Sequence, residues 1–152
     1  MLFRSCSVLV RRRYESKISG PLYDRIDIRL SISAVSLSAN LGMTETAPSS
    51  QDARNRIMVA RQAAFERLKG LPYQLNAQVP GVLLRGRFSP GKQSLRLLDR
   101  QLQTGKTSMR GFDRCLRLAW TIADLEGATV PTADHVALAL LLRGSDERDA
   151  LR

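Results

Sequence analysis

The sequence predicts a mainly helical protein, in which a bundle of about four helices follows a segment that contains one strand. From residue 52 onwards, apolar residues recur at helical spacing, whereas one stretch nearer the N-terminus alternates between apolar and polar residues. Glycine and proline residues separate these stretches where helices are expected to end. The chain has 152 residues, 43% of them hydrophobic, which suits a single core.

The alternating stretch covers residues 24–33. Its apolar side chains fall at every second position, namely at Ile26, Ile28, Leu30 and Ile32. This is the spacing of a half-buried strand. A polar connection that contains glycine and proline follows over residues 36–51.

Four stretches have the spacing of helices and lie over residues 52–69, 92–103, 107–125 and 132–142. Ser49 or Ser50 is a candidate cap for the first, and Gly70 is expected to end it. The third is expected to end at Gly127. Residues 71–90 are predicted to be rich in loops, and the end of the chain reads as a frayed tail.

The composition favours a polyanionic partner. The net charge is +10, with 24 Lys and Arg against 14 Asp and Glu. Because 20 of the basic residues are Arg, a codon-biased genome is the alternative explanation. Two distant cysteines favour a reducing compartment, and the single His135 argues against a multi-histidine metal site. The Arg-rich start also has the composition of an organelle transit peptide.

Residues 86–92 have the spacing of a phosphate-binding loop, G-x-x-x-x-G-K, through Gly86, Gly91 and Lys92. Gln93 occupies the position where such loops place the Ser or Thr hydroxyl that holds Mg²⁺. A second similar stretch, TGKTS at 104–108, has Arg100 in place of its first glycine. Both stretches are therefore interpreted as helix boundaries.

Arg25 is the first candidate for chemistry, because it follows a Gly-Pro turn at the start of the predicted strand. Asp24 and Asp27 flank it and would steady a guanidinium that reaches out to an anion. The alternative is an ordinary surface ion pair.

Arg110, Arg114 and Arg117 form the second candidate group, since their spacing of i, i+4 and i+7 places them on one helix face. Arg110 falls in the first turn, where the helix dipole disfavours a cation, so a bound phosphate would explain its position. A solvated basic face, with Asp113 paired to Arg117, is the alternative.

Four segments of this sequence together resemble one family. They are RRYESKISGPLYDRIDIRL (12–30), ARNRIMVARQAAF (53–65), LNAQVPG (75–81) and SMRGFDRCLRLAWTIADLEG (108–127), which VPTADHVALAL (130–140) follows. They resemble, in the same order, parts of the magnesium-chelatase-like AAA+ ATPases of the ComM/YifB type. The similarity extends over residues 6–143.

The resemblance implies two regions and two functional arginines. Residues 1–45 would be a strand and helix remnant of the α/β AAA+ core, and residues 46–152 the helical lid domain. Arg25 matches the family's arginine finger, which acts in trans on the ATP of a neighbouring subunit. Arg110 matches the second sensor, which contacts an ATP phosphate, and Arg114 and Arg117 would support it.

The same resemblance implies a bacterial, cytoplasmic protein that assembles into a homo-oligomeric ring, expected to be a hexamer. The full-length assembly would use ATP and Mg²⁺ to remodel DNA, in the manner of branch migration. No membrane contact and no metal ligand are expected of this chain. The family's nucleotide-binding motifs lie upstream of the matched segments, so this chain alone is expected neither to hydrolyse ATP nor to hold a cofactor.

Some positions depart from the family pattern. Tyr23 stands where the family has Leu, and Met109 and Gly111 stand where Ala is usual. MLFRSCSVL also departs from the family's C-T-P run, but Cys6 and Tyr14 keep its spacing, which favours residues 6–20 as part of the fold rather than a transit peptide. Two alternatives stay open: a stand-alone basic module that binds nucleic acid without ATPase activity, and a truncated gene product.

Overall fold

A computed structural model describes residues 7–17, 19–23, 25–30 and 48–144. These residues form seven α-helices and no strand, which confirms the mainly helical class. The helices are α1 (Val8–Glu15), α2 (Gly20–Tyr23), α3 (Ser50–Leu68), α4 (Gly81–Arg85), α5 (Lys92–Gln103), α6 (Met109–Glu126) and α7 (Ala133–Leu142). A 3₁₀ turn at Asn76–Gln78 lies between α3 and α4.

Side-chain caps at Ser49, Ser108 and Thr132 explain why α3, α6 and α7 begin where they do. Ser49 and Asp52 form a capping box at the start of α3, and the hydrogen bonds from Ser49 hold the pKa of the Asp52 carboxyl below its ordinary value. Ser108 accepts a hydrogen bond from the amide of Gly111 at the start of α6. The C-terminus of α6 is closed by Gly127 in the left-handed conformation, with φ of 73°.

Helix α6 lies at the centre of the bundle and packs against α3, α5 and α7. Its apolar face supplies six of the 14 buried residues of the main core, and the facing helices and loops supply the rest. Most of the deeply buried side chains are aliphatic, among them Leu68, Val79, Leu84, Leu98, Leu116, Ala119, Val136 and Ala139. Burial of this aliphatic surface is the main force that holds the helices together.

Trp120 of α6 fixes the loop between α4 and α5. Its ring packs edge-on against Phe88, with 6.3 Å between the ring centroids, and its Nε1 donates a hydrogen bond to the Phe88 carbonyl oxygen at 3.0 Å. The guanidinium of Arg67 lies 4.0 Å from the centre of the Trp120 ring on α6. One aromatic side chain thus joins the end of α3, the loop and α6.

The strand predicted for residues 24–33 is not formed over residues 25–30, and the remaining positions lie outside the described residues. A strand needs a neighbouring strand to satisfy its backbone groups, and the described residues provide none. Residues 25–30 instead lie against the ends of α6 and α7. There the Arg29 amide donates to the Leu142 carbonyl oxygen at 2.7 Å.

Candidate functional site

Arg25 lies immediately after α2 and is exposed. Its amide donates to the Leu22 carbonyl oxygen at 2.9 Å, and its Nη1 lies 3.3 Å from the Pro21 carbonyl oxygen. Among the residues that the structure describes, no carboxylate forms an ion pair with Arg25. Asp24, one of the two expected neighbours, is outside that set, and Asp27 pairs with other arginines.

Arg110 lies in the first turn of α6 and is also exposed. Within the described part of the chain, its guanidinium has neither a hydrogen-bond acceptor nor an ion-pair partner. The positive end of the α6 dipole therefore carries an additional, solvent-facing positive charge. That arrangement favours an anion in front of this helix end.

Arg114 connects the helix that carries Arg110 to the segment that carries Arg25. Its Nη1 donates to the Arg25 carbonyl oxygen at 2.8 Å and contacts Asp27 Oδ1 at 2.5 Å. Because Arg114 lies four residues after Arg110, it projects from the next turn of the same helix face. Arg25 and Arg110 are therefore held on one structural unit.

Arg117, the third arginine of the predicted face, has a different environment. Its Nε and Nη2 both donate to the Val79 carbonyl oxygen, at 3.0 and 2.9 Å, and the residue is partly buried. This contact joins α6 to the loop before α4. The structure thus places Arg117 away from the contacts that Arg114 makes with residues 25 and 27.

The phosphate-loop spacing at residues 86–92 falls between two helices, α4 and α5. The amides of Phe88 and Ser89 already donate to the carbonyl oxygens of Leu83 and Gly86, at 2.8 and 3.0 Å. A phosphate cradle needs such amides to point at the ligand, and these two are committed to the turn itself. Gly91 adopts a φ of 91° directly before α5, which is the helix-boundary role that the sequence predicted.

The lone histidine has a structural role in the α7 capping box. His135 Nδ1 accepts a hydrogen bond from the Thr132 amide at 2.9 Å, so the ring proton of the neutral form belongs on Nε2. That nitrogen lies 2.9 Å from Glu126 Oε2 at the end of α6. Among the described residues, no cluster of three or more His, Cys, Asp or Glu side chains is placed to hold a metal ion.

Sequence analysis did not identify Arg143, which follows α7 and is 8% exposed. Burial lowers the pKa of its guanidinium from the ordinary value, although Asp27 acts in the opposite direction. Its Nη1 lies 3.3 Å from the Ile26 carbonyl oxygen and 3.8 Å from Asp27 Oδ1. The only sequence signal was a charged residue directly after an apolar helix, which by itself predicts a helix end.

Cys115 of α6 is buried beside the Arg143 region, and burial raises the pKa of its thiol to about 12 from an ordinary value of 9.0. Thiolates, not thiols, react with alkylating agents. In a Cys6→Ser variant, we therefore expect iodoacetamide at pH 8 to modify Cys115 much more slowly in the native than in the denatured protein. A native rate equal to the denatured rate would contradict this assignment.

The same shift predicts a pH effect on stability. Below pH 9 the thiol is protonated in both states, and its contribution to the free energy of unfolding is complete. Above that pH the unfolded state loses the proton first, so stability falls towards pH 12. Urea unfolding across this range should show a smaller decline in a Cys115→Ala variant, which lacks the ionisable group.

The sequence that forms this helical bundle and the segment before it matches known protein families. The family described as "Magnesium chelatase, subunit ChlI C-terminal" matches residues 47–143, and "Magnesium chelatase, subunit ChlI" matches residues 4–40. The chain belongs to this magnesium-chelatase-like family, of the ComM/YifB type.

Three curated relatives illustrate the match. An uncharacterized protein of Mycobacterium tuberculosis is 40% identical over 143 residues, which cover 94% of this chain and 28% of the relative. YifB of Escherichia coli is 28% identical over 134 residues, 88% of this chain and 26% of YifB. The competence protein ComM of Haemophilus influenzae is 24% identical over 128 residues, 84% of this chain and 24% of ComM. The chain thus spans about a quarter of the length of these relatives.

In the described part of the chain, no helix has both the length and the apolarity to cross a bilayer.

Proposed function

We propose that this chain supplies two positive charges to ATP hydrolysis in a ring-shaped AAA+ assembly. Arg25 would act as an arginine finger on the neighbouring subunit's ATP, and Arg110 as a second sensor that contacts a phosphate of the same nucleotide. The observation that carries the proposal is the joint placement of these residues. Both are exposed, and the contact from Arg114 to the Arg25 carbonyl oxygen holds them on one unit.

The two guanidinium groups suit phosphate chemically. Each offers a planar set of N–H donors that matches phosphate oxygens, and neither has a carboxylate partner among the described residues. When bound, ATP would supply the phosphoryl group that is transferred to water. Arg25 would neutralise the charge that develops on the phosphoryl oxygens, and Arg110 would orient the nucleotide relative to the helical domain. Arg114 would hold the segment that carries Arg25 in position through its contacts with the Arg25 carbonyl oxygen and Asp27. The contact of Arg117 with the Val79 carbonyl oxygen suits a structural role.

The wider proposal concerns the complete protein. Residues 1–45 would belong with the ATPase core and residues 46–152 with the lid. The complete protein would form a hexameric ring that binds ATP and Mg²⁺ in the cytoplasm and acts on DNA. Family membership and the net charge of +10 support this proposal. The chain alone is expected to show no ATP turnover and only weak nucleotide affinity. Tight ATP binding that is lost in Lys92→Ala would contradict this expectation.

A mixing experiment tests the action in trans. Complete subunits are made by joining this chain to the preceding part of the M. tuberculosis relative. One variant carries Arg25→Ala, and another has a disabled nucleotide-binding site upstream. Each variant alone should be inactive, but their mixture should regain ATPase activity, because the second variant donates Arg25 to the first one's ATP. A mixture that stays inactive, while wild-type subunits are active, would overturn the proposal.

A second candidate function is nucleic-acid binding by the helical bundle alone. Helix α3 carries three exposed arginines, Arg54, Arg56 and Arg61, and its first half is exposed on every side. Such a basic helix favours contact with a phosphate backbone. DNA affinity that falls steeply with salt and is unaffected by Arg25→Ala would favour this function.

A further inference from the structure

The segment over residues 25–30 is held by side chains instead of by a sheet. The carbonyl oxygens of Arg25 and Ile26 accept hydrogen bonds from Arg114 of α6 and from Arg143, at 2.8 and 3.3 Å. In a strand, backbone amides would occupy these acceptors. The two guanidinium groups therefore decide where the backbone that follows α2 lies relative to the bundle.

Asp27 adds a charge to this attachment. Its Oδ1 lies 2.5 Å from Arg114 Nη1 and 3.8 Å from Arg143 Nη1. Arg143 is nearly buried, and a buried cation is stable only with a partner. One carboxylate thus offsets the repulsion between two arginines that come from different parts of the bundle.

Arg29 fastens the far end of the segment at the C-terminus of α7. Its guanidinium donates to the carbonyl oxygens of Arg143 and Gly144, and its amide donates to that of Leu142. A cation is favoured at this end of a helix, where carbonyl groups lack intrahelical donors. Gly144 has a φ of +65°, and a Cβ atom there would lie 3.1 Å from Arg29 Cζ. The segment is thus attached at both ends.

We propose that Asp27, Arg29, Arg114 and Arg143 form a clamp that positions Arg25 relative to Arg110. The four are positioning residues, and the inference rests on the phosphate role proposed above for Arg25 and Arg110. Although residues 25–30 fall in the region assigned above to the core, the clamp makes them move with α6 and α7 of the lid as one body. A rotation of the helical domain then carries both phosphate-binding guanidinium groups together, with their separation unchanged.

Substitution of Asp27 distinguishes a positioning role from an effect of net charge on anion binding. Asp27→Asn makes the chain more positive, so electrostatics alone would tighten the binding of an anion. If Asp27 holds the segment in place, the same substitution weakens the binding of tripolyphosphate, because Arg25 is no longer held in a fixed position relative to Arg110. We expect a loss of about two- to fivefold, similar to that of Arg25→Ala, when affinity is measured by calorimetry at low salt.

Amide relaxation measures the position of the segment directly. In the wild-type chain, we expect backbone order parameters of about 0.85 for residues 26–28, and values below about 0.6 in Asp27→Asn. Arg114→Lys keeps the positive charge but loses the planar fork, so it should shift both measurements in the same direction. Asp134→Asn, at the exposed start of α7, is the matched control. It should leave the order parameters of residues 26–28 unchanged, and its affinity for tripolyphosphate should be equal to or slightly higher than that of the wild type.

The outcomes distinguish the two proposals. Weaker binding and a mobile segment in both Asp27→Asn and Arg114→Lys support the clamp. Tighter binding in Asp27→Asn, or a segment that stays rigid in both variants, overturns the clamp while leaving the phosphate role intact. If neither Arg25→Ala nor Arg110→Ala weakens tripolyphosphate binding, the phosphate role itself is overturned.

Discussion

Replacement of Arg25 by alanine is expected to slow ATP hydrolysis by the complete ring by about 10³–10⁵-fold, the range over which arginine fingers act. The structure leaves this guanidinium exposed, while the backbone of the same residue is tied to Arg114. The substitution should therefore remove a group that acts on the reaction and leave the fold unchanged. Steady-state ATPase rates of complete subunits, made by joining this chain to the preceding part of the M. tuberculosis relative, measure the effect.

Two further variants serve as controls for Arg25→Ala. Arg25→Lys keeps one positive charge but not the planar fork, so most of the rate should still be lost. Arg96→Ala removes an exposed arginine of α5 that has no part in either proposed function, and it should leave the rate within about twofold of wild type. An Arg25→Ala ring that hydrolyses ATP as fast as the Arg96→Ala ring would contradict the arginine-finger assignment.

Sequence patterns predicted the long helices well, because local signals define them. The helix predicted over 92–103 is α5, and Ser49, one of the two candidate caps, begins α3. A five-residue helix such as α4 is too short to show a period, and sequence analysis placed it within a loop-rich stretch. Helix α1 was missed because its apolar side chains at Leu9 and Val10 are exposed and form no buried stripe.

Contacts between distant residues were beyond the reach of sequence analysis. Arg114 lies in a helix, as predicted, but its partner Asp27 is 87 positions away. Asp113 pairs with Arg85, not with Arg117, because α4 brings Arg85 beside it. The alternation at residues 24–33 predicted a strand, yet pairing depends on a neighbouring strand that no local pattern can supply. The roles of Arg25 and Arg110 came from the family resemblance and stay predictions.

The largest expected effect on stability follows from an ion pair inside the bundle. Asp124 of α6 has a side chain that is 2% exposed and accepts two hydrogen bonds from Arg67, at 2.5 and 2.7 Å. Asn76 donates to the same carboxylate at 2.8 Å and accepts from Arg67 at 2.8 Å. The carboxylate thus joins α3, the 3₁₀ turn and α6, and no buried side-chain nitrogen or oxygen of Arg67, Asn76 or Asp124 lacks a hydrogen-bond partner.

Asp124→Ala is expected to lower the free energy of unfolding by about 3–5 kcal/mol, because it leaves the guanidinium of Arg67 largely buried without its counter-charge. Urea unfolding followed by circular dichroism measures the loss. Glu66→Ala is the matched control at the end of α3, since Glu66 and Lys69 form an exposed pair at 3.9 Å. That variant should lose at most about 1 kcal/mol.

A double variant distinguishes the contribution of the ion pair to stability from the contribution of side-chain packing. If Asp124→Ala lowers the free energy of unfolding because the Arg67 guanidinium lacks a counter-charge, a second substitution, Arg67→Met, should recover part of the lost stability. A methionine of similar length can remain packed on the Trp120 ring. Equal losses in Asp124→Ala and Glu66→Ala would show that the pair contributes no more than a surface contact. A double variant less stable than Asp124→Ala would instead assign the stability to the contact of Arg67 with Trp120.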